Sequence, residues 1–116
     1  MSHLLWQKNN MERNIKVANQ IKELAAEYLG RENNRTSLIT VISCNTSPDL
    51  KKATIFITVL PNSKEHDALD FTKRKRPEIR DYLKKKMNLK IIPFLDVRID
   101  EGEKNRQKID ELLRNG

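Results

Sequence analysis

Nine basic side chains fall between positions 73 and 90: Lys73, Arg74, Lys75, Arg76, Arg80, Lys84, Lys85, Lys86 and Lys90. Only Glu78 and Asp81 oppose them in that stretch. The chain carries 23 Lys and Arg in all, so residues 72–93 hold more than a third of its positive charge. The chemistry open to such a group is electrostatic, namely the recognition of phosphates or other anions. Taken singly, each lysine is equally well read as part of a solvated helix face. Taken together, with a net charge of +7 on a small domain, they predict a polyanion-binding face.

These cations must be held by helices. Ile79, Leu83 and Met87 recur at i, i+4 and i+8, with Tyr82 beside them, so one face of the stretch is apolar and joins a core. A polybasic tail would lack that stripe. Pro77 interrupts it, because proline has no N–H and clashes with the preceding turn. It also disfavours αR geometry at Arg76. Either one helix ends near Lys75 and a second begins at Pro77, or one helix is sharply kinked there. Pro77 suits the first position of a helix, Glu78 and Asp81 its first turn, and Lys84, Lys85 and Lys86 its last turns.

The remaining composition bounds the possibilities. At 116 residues the chain is expected to form one domain with a modest core. Its single cysteine, Cys44, excludes an internal disulfide and reads as a small strand residue. His3 and His66 lack metal-ligand spacing, so neither a metal nor another cofactor is expected. An aromatic content of 5% argues against an extended base-stacking platform. No run approaches a membrane span, and the N-terminus shows no signal-peptide pattern, so a cytoplasmic location is expected.

Along the chain, residues 1–11 are expected to be frayed, and a helix capped near Asn14 runs to about Leu29 on a Val17, Ile21, Leu24, Tyr28 stripe. Gly30 stands where a left-handed helix stop is common. Asn33-Asn34 is turn chemistry. Residues 37–44 and 53–59 read as two strands of a hairpin, joined by a polar connection at 45–50. Phe56 lies on the open face of the second strand. Ser63 is placed to cap a helix carrying Ala68, Leu69 and Phe71 up to the break. After the second half-helix, residues 88–93 form a turn, 95–99 a third strand, and 103–114 a terminal helix with Ile109, Leu112 and Leu113 apolar.

The predicted order is α-β-β-α-kink-α-β plus a short C-terminal helix. That is an α+β fold whose three-stranded sheet is covered by helices on one face, the topology of a type II KH domain. KH domains clamp a nucleic-acid backbone with a GxxG loop between two helices. The glycines here are Gly30, Gly102 and Gly116, none at that junction, so the usual clamp is absent.

Over residues 13–113 the sequence resembles the ribosome-binding factor A family. The likeness is carried by Ile15-Lys16-Val17-Ala18, by Ser47-Pro48-Asp49 ahead of the strand at 52–59, and by Glu78-Ile79-Arg80. It continues through Met87-Asn88-Leu89-Lys90, Ile92-Pro93 and Leu95, and ends in Gly102 followed by Lys108-Ile109-Asp110-Glu111-Leu112-Leu113. The resemblance implies a KH-like fold in which a kinked helix pair replaces the GxxG loop. It implies a non-enzymatic, monomeric factor that binds 16S rRNA in the free, immature 30S ribosomal subunit and assists maturation and rRNA processing. The family kink carries an Ala-x-Gly pattern, and here those positions read Lys75-Arg76-Pro77. Side-chain contacts carry over to this chain more directly than backbone–phosphate contacts, because proline blocks the close approach that glycine permits. The expected RNA-binding residues are Lys73, Arg74, Lys75, Arg76, Pro77, Arg80, Lys84, Lys85 and Lys90. Two other readings compete: a basic module docking on an acidic protein, and an RNA-processing enzyme, for which the sequence shows no catalytic constellation.

Overall fold

The computed structural model describes residues 2–32 and 37–115, with residues 2–8, 10 and 115 described by backbone alone. Helix α1 spans Ser2–Arg31, strands β1 and β2 span Leu38–Thr46 and Lys52–Leu60, and a 3-10 turn covers Asn62–Lys64. Helix α2 (Glu65–Arg74) and helix α3 (Arg76–Lys86) follow, then β3 (Phe94–Ile99) and α4 (Glu101–Asn115). This is the predicted order.

The sheet has three strands in the order β1-β2-β3. β1 and β2 form an antiparallel hairpin, and β3 lies parallel to β2 after crossing over through α2 and α3. Strict alternation on β2 sends Ala53, Ile55, Ile57 and Val59 into the core, where the alanine and both isoleucine side chains are wholly buried. Leu95 and Val97 of β3 pair beside Ala53 and Ile55 and point the same way. On β1 a bulge between Val41 and Ser43 re-phases the alternation. Val41 opposite Ile57 and Cys44 opposite Ile55 therefore both face the helices, although three residues apart. Ile79, Leu83 and Met87 close the core from the α3 side.

Several local expectations are corrected. α1 begins at Ser2, so residues 2–11, expected to be frayed, continue the helix, and Asn14 sits inside it. Asn14 caps nothing there; its Nδ2 donates to the Pro48 carbonyl at 3.0 Å and pins α1 to the hairpin turn. The fully buried stripe of α1 is Val17, Ile21, Ala25 and Leu29, with Leu24 and Tyr28 half-buried beside it. Gly30 has no positive φ and lies within the helix, which ends one residue later at Arg31. Ser63 falls in the 3-10 turn and makes no cap; α2 starts after Lys64 without a side-chain cap. Only Glu78 is in the first turn of α3; Asp81 lies a turn further on. α4 starts at Glu101, earlier than position 103, because the Asp100 carboxylate accepts from the Glu103 N–H at 2.9 Å. The turn expected at Asn33-Asn34 lies outside the described residues.

Candidate nucleic-acid interface

The sequence break expected around Lys75 and Pro77 is a break between two helices. Lys75 holds it, with φ −86° and ψ 1°, a conformation between helix and turn. Its N–H is shared by the carbonyls of Phe71 and Thr72, both at 3.1 Å, which ends α2 tightly. Thr72 is fully buried and turns its hydroxyl back onto the Ala68 carbonyl at 2.8 Å. α3 restarts when Ile79 N–H reaches the Lys75 carbonyl at 2.9 Å, with Pro77 in its first turn. Arg76, which a following proline tends to push out of helical geometry, is the first residue of α3 here; the irregular backbone sits one residue earlier.

Pro77 lacks the N–H that residue 77 would offer to the Lys73 carbonyl in a continuous helix. The Arg76 side chain takes that place, with Nε donating to Lys73 O at 2.9 Å. Arg80 is tied in a similar way: Nε donates to Pro93 O at 3.1 Å and Nη2 to Ile92 O at 3.0 Å. Both guanidinium groups therefore have fixed positions. Arg76 braces the break itself, and Arg80 joins α3 to the segment that leads into β3. The partners of both are carbonyls and not carboxylates, so neither guanidinium is neutralised by an ion pair among the described residues.

Lys73, Arg74, Arg76, Pro77 and Arg80 line one concavity of about 290 Å³ between the helix break and the start of β3. Its apolar side is Phe94 and Leu95. The Arg76 guanidinium lies over the Phe94 ring, 5.7 Å from its centroid, within cation–π range. Sequence reasoning missed Phe94. The signal was there: Leu95, Val97 and Ile99 alternate into the core, so the residue before them faces the other way.

The other expected site residues are placed differently. Lys75 borders the break with its ammonium 5.7 Å from the Phe71 ring centroid. Lys84 is exposed one turn beyond Arg80 on the same face of α3. Lys85 is exposed but shares its face with Asp81. Lys86 reaches outward, its ammonium 5.7 Å from the Tyr82 ring centroid. Lys90 stands apart, in a second concavity of about 400 Å³ with Arg13, Lys51 and Asp49. There Asp49 stays ionised: the Ser47 hydroxyl, the Lys51 N–H and the Lys51 charge hold its carboxyl below the usual range.

Among the described residues, none of the nine cations at 73–90 forms an ion pair with a carboxylate. Cations elsewhere do, such as Arg106 with Glu103 and Asp110, and Lys104 with Glu65. The basic surface around the break is thus electrostatically unsatisfied by the described chain.

A mixed three-stranded sheet backed by helices, with a basic break between two helices in place of a glycine loop, defines a KH-like α+β protein. The model of the family described as ribosome-binding factor A matches residues 13–113. The chain belongs to that family. It is 32% identical over 108 residues to the ribosome-binding factor A of Rhodopseudomonas palustris strain TIE-1, covering 89% of this chain and 79% of that protein. The crystal structure of ribosome-binding factor A from Thermus thermophilus superposes with a TM-score of 0.68 at 21% identity, over 74% of this chain and 93% of that one. A Thermus thermophilus ribosome-binding factor A model fitted into the cryo-electron-microscopy map of a complex with 30S superposes with a TM-score of 0.61 at 20% identity, over 68% and 86%.

Proposed function

We propose that this protein binds 16S rRNA within the free, immature 30S ribosomal subunit, as a monomer in the cytoplasm, and assists its late maturation and rRNA processing by binding alone. The observation that carries the reading is the group of cations around the helix break that have no carboxylate partners among the described residues. Unpaired charge fixed on a rigid turn favours phosphate, since the guanidinium and ammonium groups need no internal ion pair broken before they meet it. Family membership supports the ribosome as the target, and the 30S complex of the Thermus relative supports the small subunit. Lys73, Arg74, Lys75, Arg76, Arg80 and Lys84 are the phosphate-facing residues in this reading. Pro77 sets the angle that aims them, and Lys85 and Lys90 contribute at the margins. Among the described residues no helix is long and apolar enough to cross a membrane.

Ultraviolet crosslinking of the protein to immature and mature small subunits tests this. Crosslinks from α2 and α3 to 16S rRNA, enriched in immature particles, are expected. Crosslinks confined to ribosomal proteins would instead support docking on an acidic protein partner.

A further inference from the structure

Phe94 is the first residue of β3 and is 57% exposed, even with a guanidinium above its ring. A single exposed aromatic needs no explanation by itself. This one lies in the same concavity as four cations and a proline. The Arg76 guanidinium 5.7 Å from the ring centroid is not free to swing, because its Nε is held by the Lys73 carbonyl at 2.9 Å. The volume of about 290 Å³ lies at the low end of small-ligand pockets, which run from roughly 300 Å³ upward. The combination is an aromatic face, a planar cation fixed beside it, and further cations at the rim.

We propose that the exposed ring of Phe94, flanked by Arg76, is a slot for one unpaired base of single-stranded RNA, stacked on the part of the ring that Arg76 leaves open, with the adjoining phosphates held by Lys73, Arg74 and Arg76. The proposal rests on the RNA-binding reading above. A base offers a π-face to the exposed ring, and its backbone carries the negative charge that the guanidinium and the other cations at the rim attract. A base inside a duplex has both faces covered by its neighbours, so the occupant is a nucleotide from a loop, a bulge or an end. The small aromatic content of the chain agrees with a slot for one base and not with a platform for several.

The test titrates wild type, Phe94→Leu and Phe94→Tyr with two probes by fluorescence anisotropy: a single-stranded octamer of RNA and an RNA duplex of equal length. Phe94→Leu is expected to weaken single-strand binding about tenfold, a typical loss for one stacked base, with the log–log salt slope unchanged. Phe94→Tyr should bind as wild type does, and duplex affinity should not respond to either change. In proton NMR of the octamer bound to wild type, one set of base protons should move upfield from the ring current of Phe94, a readout that needs no variant. Equal affinity of Phe94→Leu and wild type for the octamer, a loss shared equally by the duplex, or no upfield shift would overturn the slot. In each of those cases a steep salt slope for wild type would leave the RNA-binding reading standing. Absence of salt-dependent binding by wild type would overturn both.

Discussion

Replacing Lys73, Arg74 and Lys84 together by glutamine should flatten the salt dependence of RNA binding without unfolding the protein. These three are chosen because no side-chain hydrogen bond or ion pair to the rest of the described chain involves them. Their loss removes charge and little else. Each phosphate contact to a single strand contributes about 0.7 to the slope of log K against log salt. Three contacts therefore contribute about 2, and the triple variant should lose that much slope. Between 50 and 200 mM salt, the affinity of the wild type should fall about 20-fold further than that of the variant. Arg80→Gln is the informative companion. It removes the two hydrogen bonds to Ile92 O and Pro93 O, so it should also lower stability, by about 1–2 kcal/mol for charged donors at a partly exposed site. Filter binding to immature 30S particles across a salt series, with thermal melts alongside, reads both. A triple variant with the slope of the wild type would refute the assignment of phosphate contacts to this face. An Arg80→Gln variant with an unchanged melting temperature would refute the structural part of the Arg80 role.

The other expectations follow from single sites. Ile57→Asp places a carboxylate in a fully buried position facing the helices, and should cost more than about 4 kcal/mol, visible as loss of the cooperative melt. Pro77→Ala restores an N–H that competes with Arg76 for the Lys73 carbonyl; it should keep stability within about 1 kcal/mol and weaken association with immature 30S particles, while Pro77→Gly keeps more of it. Gly30→Ala should raise stability by about 0.5–1 kcal/mol in chemical denaturation, since the residue is helical and an added Cβ meets nothing within 4 Å. Burial pushes the Cys44 thiol from 9.0 up to about 11, so it should resist alkylation at pH 8 until the protein is denatured. As pH rises between those two values the unfolded chain ionises first, so the contribution of Cys44 to stability is complete below about 9 and lost towards 11.

The amino-acid sequence determined whatever depends on near neighbours. Alternation at 53–59 and 95–99 fixed two strands and their core faces, because the side-chain period of a strand is two residues. Pro77 fixed a helix break, because its ring and missing N–H act within one turn. The +4 spacing of Ile79, Leu83 and Met87 fixed which face of α3 is buried. What the tertiary structure decided depends on partners remote in sequence. The bulge in β1 puts Val41 and Cys44 on one face, and no local pattern marks it, because it arises from pairing with β2. The start of α1 at Ser2 escaped because its first turns carry no apolar stripe at helical spacing to signal them. Nine cations looked alike in the sequence. The fold sorted them, tying Arg80 to carbonyls 12 and 13 residues away, gathering Lys73, Arg74 and Arg76 around Phe94, and leaving Lys90 in another concavity. A guanidinium takes its position from the acceptors it meets, and those that hold Arg80 come within its reach only when β3 docks beside β2.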